Sequence, residues 1–451
     1  MTALDVAAQV RAGEVSWREL AESHLERIRA SDLNAFTYVV DEPEPPRDEG
    51  GAFYGVPIAI KDLNDVAGMP TTYSCKAYAK NVARADAAVV RNLKDAGFVI
   101  LGKTNTPEFG TIAHTESELN GDTRNPWDAT RTPGGSSGGA AAAVAAGLLP
   151  LAHASDGGGS IRVPASCCGL VGIKPSRGRV SPAPYASGSL GFGTQGPLAR
   201  TVRDAAALLD VMRGYEPGDF YVAPVPPSPY LDVCDEPVGE LRIAVTTTPP
   251  TTVPVDPECV AALEATAALL SDLGHEVVEA TPPWSADETI LDFIRVWQVG
   301  PATAGVSDLS LLEPINRALA EQARATPSPE YAASVMTLQT LTRTILAFWD
   351  EVDVVVTPTL ALPPTPIGWT FEETGGDPIA AFMRQTLWTP FTPLVNVTGQ
   401  PATSLPLATS ADGLPIGVQF IGRPFDEATL IRLAAQLEDA RPWAGRFPDA
   451  V

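Results

Sequence analysis

Between residues 134 and 160 two glycine–serine clusters bracket an apolar block: Gly134-Gly-Ser-Ser-Gly-Gly139, then residues 140–154, then Ser155-Asp-Gly-Gly-Gly-Ser160. Glycine loses more conformational freedom on folding than any other residue, so two such clusters burden a scaffold unless backbone must approach something closely. The block between them reads as an alanine-rich helix over 137–146, stopped near Gly147, and a buried strand over 148–154. One reading is a pair of flexible turns. The chemical reading is that consecutive glycine amides converge as donors on a developing oxyanion, with serines beside them.

The rest of the chain alternates strands with helices, the pattern of a sheet covered by helices on both faces. The first 40 residues read as helix, on the apolar spacing of Val15-Ser-Trp-Arg-Glu-Leu-Ala-Glu-Ser-His-Leu-Glu-Arg-Ile28. Val56-Pro-Ile-Ala-Ile60 is a short strand ending at Lys61, followed by a helix over 87–96 and a strand over 98–101. Later come strands at 241–247, 275–280 and 352–356, and a helix at 259–273. Strands at 405–408 and 416–421 flank Asp412-Gly413, a hairpin signal that makes the sheet mixed. A last amphipathic helix covers 426–437. The proline-rich stretch 216–229 reads as a surface connection between two halves of one domain. Residues 285–347 read as mostly helical and carry no chemical motif. With 451 residues and 45% hydrophobic composition, the chain can bury one large core. The expectation is a single α/β domain over 1–451, with a central mixed β-sheet covered by helices on both faces.

Two motif matches mislead. Gly97-Phe-Val-Ile-Leu-Gly-Lys-Thr104 fits the phosphate-loop pattern, but its middle residues make a buried strand rather than a loop with amides facing phosphate. Lys103 is then a residue at a strand end. Gly134-Gly-Ser-Ser-Gly138 fits the nucleophile elbow of α/β-hydrolases, and the helix after it suits that reading. The stretch before it, Asn125-Pro-Trp-Asp-Ala-Thr-Arg-Thr-Pro133, is no strand. Of the downstream histidines, His153 comes too soon to follow a triad acid, and His275 opens a strand.

A serine nucleophile needs a base, and with four histidines in the chain lysine is the natural candidate. Burial at the end of a strand could lower the pKa of Lys61 and leave it neutral. Taken together, Lys61-Asp62, Gly134-Gly-Ser-Ser-Gly-Gly139 and Asp156-Gly-Gly-Gly-Ser-Ile-Arg162 resemble the amidase signature family, with the spacings 136 − 61 = 75 and 160 − 136 = 24. Flanking segments agree: Gly55-Val-Pro-Ile58, Gly102-Lys-Thr-Asn-Thr-Pro-Glu-Phe109, Gly169-Leu-Val-Gly-Ile-Lys-Pro175, Gly196-Pro-Leu-Ala-Arg200 and Thr398-Gly-Gln-Pro-Ala402. The resemblance is dense over 55–205, the signature core, and returns over 391–440.

The resemblance implies a role for each matched position. Ser160 attacks the carbonyl. Ser136, preceded by a cis peptide bond in the family, passes the proton to a neutral Lys61. The amides of Gly157, Gly158, Gly159 and Ser160 form the oxyanion hole. Asp156 and Arg162 pair to hold the loop, and Ser137 supports the hydrogen bonds and opens the helix. One position departs: the family commonly has threonine or isoleucine where this chain has Gly157. Specificity is expected from the variable region 221–390, with Cys75, Trp297, Trp369 and Trp388 as candidate pocket residues. A stand-alone amidase acting on small aliphatic or aryl amides, cyclic oligoamides of the nylon type, or carbamates fits better than the tRNA-dependent amidotransferase subunit or an inactive binding module.

The bulk numbers remove other classes. A formal net charge of −23 repels phosphate backbones and anionic lipid, which argues against nucleic-acid and membrane partners. The five cysteines, Cys75, Cys167, Cys168, Cys234 and Cys259, are odd in number and form no CxxC pair, so neither a secreted disulfide framework nor a zinc ribbon fits. Residues 1–10 lack the basic and apolar regions of a signal peptide, and no run of 18 apolar residues occurs. A cytoplasmic monomer or homodimer that needs neither cofactor nor metal is expected.

Overall fold

Strand-forming segments sit where both faces of a sheet are covered, and their burial shows it. In this computed structural model, which describes residues 2–186, 188–284, 287 and 289–448, β1 is Phe36–Val39, β2 Pro57–Lys61, β3 Val99–Thr104, β4 Leu151–Asp156, β5 Val171–Lys174 and β6 Thr194–Ala199. The later strands are β7 Arg242–Val245, β8 Glu276–Glu279, β9 Val354–Pro358, β10 Ala402–Thr409 and β11 Pro415–Ile421. Every residue of β2, β3, β9 and β11 is buried, as continuous apolar strands require when helices lie on both sides.

The main sheet has eight strands in the order β4-β6-β5-β10-β11-β9-β7-β8 and is mixed. β7 pairs in parallel with β8 and β9, while β10 runs antiparallel to both β5 and β11. A second sheet of three strands, β1-β3-β2, lies beside it. The central mixed sheet expected from the sequence is present, and β2 of the smaller sheet meets β4 of the main one where the Lys61 N–H donates to the ring Nδ1 of His153, 3.3 Å away. Helices Gly138–Ala145, Arg162–Cys168, Val202–Met212, Pro257–Asp272 and Glu427–Ala440 pack on the main sheet.

The N-terminal 40 residues are not one helix. Helices Ala3–Arg11 and Trp17–Ala30 are separated at Gly13, and the second is capped by Ser16. The apolar spacing ends at Ile28, and the aromatic and β-branched run Phe36-Thr-Tyr-Val39 pairs antiparallel with β3. Within 285–347, helices Ile290–Trp297, Val299–Thr303, Pro314–Ala325 and Ser328–Leu346 are present; residues 285, 286 and 288 lie outside the described residues. Residues 216–229 form no regular element. No helix among the described residues is long and apolar enough to cross a membrane.

Candidate active site

Lys61 ends β2 with its side chain fully buried, and its Nζ lies 2.6 Å from Ser136 Oγ. Burial strips the ammonium of water and pushes its pKa down to about 7, against the opposing pull of the Asp156 carboxylate. Nζ also donates to the Ser155 carbonyl at 3.4 Å. The supporting His153 ring bonds Gln195 Oε1 through Nε2 at 2.8 Å, and burial lowers its pKa to about 4. It is a neutral brace between β2 and β4, not a catalytic base. Ser136 follows a cis Gly135–Ser136 peptide bond. Gly110, at φ +67°, lets the chain pass close by: a Cβ there would stand 2.9 Å from Ser136 Oγ. Ser137 stands before the helix Gly138–Ala145 without capping it; its hydroxyl donates to the Ser155 carbonyl at 3.1 Å and accepts from the Ser155 amide at 3.3 Å.

Asp156 ends β4, and the glycine loop turns back over it. The carboxylate accepts from the Gly159 amide at 2.7 Å and the Ile161 amide at 3.2 Å, and binds the Arg162 fork through two 2.9 Å contacts. Burial alone would raise its pKa, but the Arg162 guanidinium holds it well below the usual carboxylate range. Arg162, itself fully buried, also donates to the Thr392 carbonyl, Gln419 Oε1 and Asn396 Oδ1. Its charge is therefore compensated and its donors are used. Because the Gly159 amide is committed to Asp156, it is withdrawn from the oxyanion set that the resemblance implied. The amides of Gly157, Gly158 and Ser160 have no protein acceptor among the described residues.

Ser160 lies where two openings meet. One is an apolar cavity of about 910 Å³, its mouth included, walled by Phe293, Ile294, Leu338, Phe382 and Met383. The other, about 1080 Å³ with its mouth, is lined by Asn64, Ser136, Ser155, Thr194 and Gln195. Trp297 lines both.

The structure removes the other three pocket candidates. Trp388 is fully buried, its indole N–H bonded to the Leu362 carbonyl at 3.1 Å and its ring 4.4 Å from His114. Trp369 packs 5.9 Å from the same histidine under the Arg384 guanidinium. Large aromatic rings contribute most when buried whole, and these two are core. Cys75 packs against Val306, Leu312 and Ala320, and burial beside Glu108 pushes its thiol up to about 12. Cys167 and Cys168 are buried with raised thiol pKa values, unsuited to nucleophilic attack. Lys103 is more than a strand-end residue: it forms a fully buried ion pair with Asp62 at 2.9 Å and bonds Thr71 Oγ1. That pair secures the turn after Lys61. Sequence reasoning passed over Thr392, Asn396 and Gln419. Their one signal was an asparagine set among Leu-Val and Val in an otherwise apolar turn following Pro393.

A buried amine of lowered basicity against one serine, with a second serine on a loop whose amides are unused, is equipment for acyl transfer. A family model described as Amidase matches residues 34–431, and the chain belongs to that family. It is a hydrolase of carbon–nitrogen bonds other than peptide bonds. It is 40% identical to a 6-aminohexanoate-cyclic-dimer hydrolase of Paenarthrobacter ureafaciens, over 98% of this chain and 96% of that protein. A solved structure of 6-aminohexanoate cyclic dimer hydrolase superposes with TM-score 0.92 at 37% identity, covering 100% of this chain and 99% of the other. A bacterial aryl acylamidase of the amidase signature family follows at TM-score 0.86 and 26% identity, over 99% of both chains.

Proposed function

We propose that the chain cleaves small amides through an acyl-enzyme on Ser160, with Ser136 as relay and Lys61 as base. The observation that carries this is the 2.6 Å approach of Lys61 Nζ to Ser136 Oγ by an amine whose pKa lies near 7. As Ser160 Oγ bonds the carbonyl carbon, its proton passes to Ser136 Oγ, whose own proton goes to Lys61 Nζ. The carbonyl oxygen takes the negative charge and is met by the amides of Gly157, Gly158 and Ser160. Collapse breaks the C–N bond, the amine leaves with a proton returned through Ser136, and water releases the acid by the reverse path. Asp156 and Arg162 act on loop geometry, not on substrate.

The apolar cavity beside Ser160 suits an aliphatic or aryl acyl chain, and amides built on 6-aminohexanoate are the substrate class the relatives suggest. Carbamates present the same carbonyl. Five free cysteines, four of them buried, accord with a reducing, cytoplasmic setting, and a net charge of −23 with the absence of nucleic-acid partners. Activity as a monomer or homodimer completes the reading. The test is a hydrolysis panel of primary amide, anilide, linear and cyclic oligoamide, ester and carbamate, run on wild type and Ser160→Ala. Cleavage by wild type alone is expected; equal cleavage by the variant would overturn Ser160 as nucleophile.

A further inference from the structure

Gly157 has a physical reason to be glycine, and the reason is Trp297. Its backbone lies outside the left-handed region, so a side chain is conformationally allowed there. The space is what opposes it unless the ring shifts: a Cβ at 157 would lie 2.9 Å from Cη2 and 3.1 Å from Cζ3 of the Trp297 indole. The same ring edge stands 3.9 Å from a Cβ built on Gly158. The indole therefore lies directly on the loop that carries the free amides. It is braced from behind by a row of stacked rings, Phe293 at 5.6 Å and then Phe192 at 5.7 Å from Phe293. Such stacking favours one ring position over rotation into either opening.

The two openings must receive different parts of an amide. Ser136, which returns the proton to the leaving amine, lines only the polar opening. The amine must therefore face that side, and the acyl chain is left the apolar cavity. Trp297 borders both. We propose that the Trp297 indole, admitted by Gly157, is a partition that separates acyl chain from leaving amine and selects amides in which the two are not joined. In a linear amide each part enters its own opening. In a cyclic oligoamide the far end of the acyl chain is joined to the amine through the rest of the ring, and that tether has to pass the indole. This rests on the proposed attack by Ser160.

The test compares N-butylhexanamide with the cyclic dimer of 6-aminohexanoate in wild type, Trp297→Ala, Gly157→Ala and the double variant. Trp297→Ala should lower the linear-to-cyclic ratio of kcat/KM by about tenfold or more, the scale of removing a steric block. Gly157→Ala should cut kcat/KM on the linear amide about tenfold by pushing the indole aside, and adding Trp297→Ala should restore most of it. If the double variant stays as poor as Gly157→Ala, the loss lies in the amides of the loop and the pairing is wrong. Trp297→Phe, which keeps a ring on Phe293 but withdraws the outer edge from Gly157, must move the ratio in the same direction as alanine. An unchanged ratio in both variants, with Ser160→Ala inactive, overturns the partition alone; activity in Ser160→Ala overturns the nucleophile instead.

Discussion

Lys61 can accept a proton only while its amine is neutral. Burial sets its pKa near 7, so the amine gains a proton as the pH falls through that value, and activity should fall with it. For an uncharged amide, kcat/KM should be level on the alkaline side and decline about tenfold per pH unit well below about 7; a profile flat to pH 5 would remove Lys61 from the role. Lys61→Ala and Ser136→Ala should each cost orders of magnitude in kcat, and the double variant little more than either, since a broken relay is not broken twice. Arg162 makes a different kind of claim. Arg162→Met would leave the Asp156 carboxylate buried without its partner, and unfolding in urea should show a loss of about 3–5 kcal/mol. The motif residues were legible because reactive side chains flanked by glycine stand out in a chain. The three misplaced pocket candidates, Cys75, Trp369 and Trp388, were not, because an aromatic or thiol looks the same in sequence whether it faces a cavity or the core.

Among the elements, the short helix Pro393–Thr398 acts on the reaction from a distance in sequence. Thr392, just before it, donates to the Gly158 carbonyl at 2.7 Å, and Asn396 within it donates to both the carbonyl and the carboxylate of Asp156. The helix thereby fixes the orientation of the loop amides. Thr392→Val keeps the shape and loses the hydroxyl, so kcat should fall roughly two- to tenfold, the size of one hydrogen bond of about 0.5–1.5 kcal/mol, with KM nearly unchanged. Thr392→Ser should recover most of it, whereas recovery by neither would mean that the hydroxyl is not the agent. Strands and helices with strong periodicity were readable, from β2 to the hairpin of β10 and β11. The strand β1 was hidden by the helix before it, and the contacts of Thr392 and Asn396 span more than 200 residues, beyond the reach of any local pattern.

At the scale of the whole molecule, the main sheet is assembled out of chain order. β10 and β11 stand at its centre, between β5 from the first half and β9 from the second. A chain ending at residue 401 would lose both, exposing two sheet edges and the core residues packed on Leu405, Val418 and Phe420. It should show no cooperative unfolding transition in urea and should aggregate on expression. A soluble, cooperatively unfolding fragment would mean that the chain before residue 402 folds without β10 and β11.

The order of amino acids by itself determined the reactive groups, the glycines that bring backbone to them, and the alternation that makes an α/β sheet, because each is a local property of a few neighbouring residues. Tertiary structure decided the rest. It buried Lys61 and so set its proton affinity, committed the Gly159 amide to Asp156, bridged β2 to β4 through His153, and chose Trp297 over Trp369 and Trp388 to stand beside Ser160. Those outcomes depend on which distant segments share a volume, and burial, pairing and distance have no value until the chain has closed on itself.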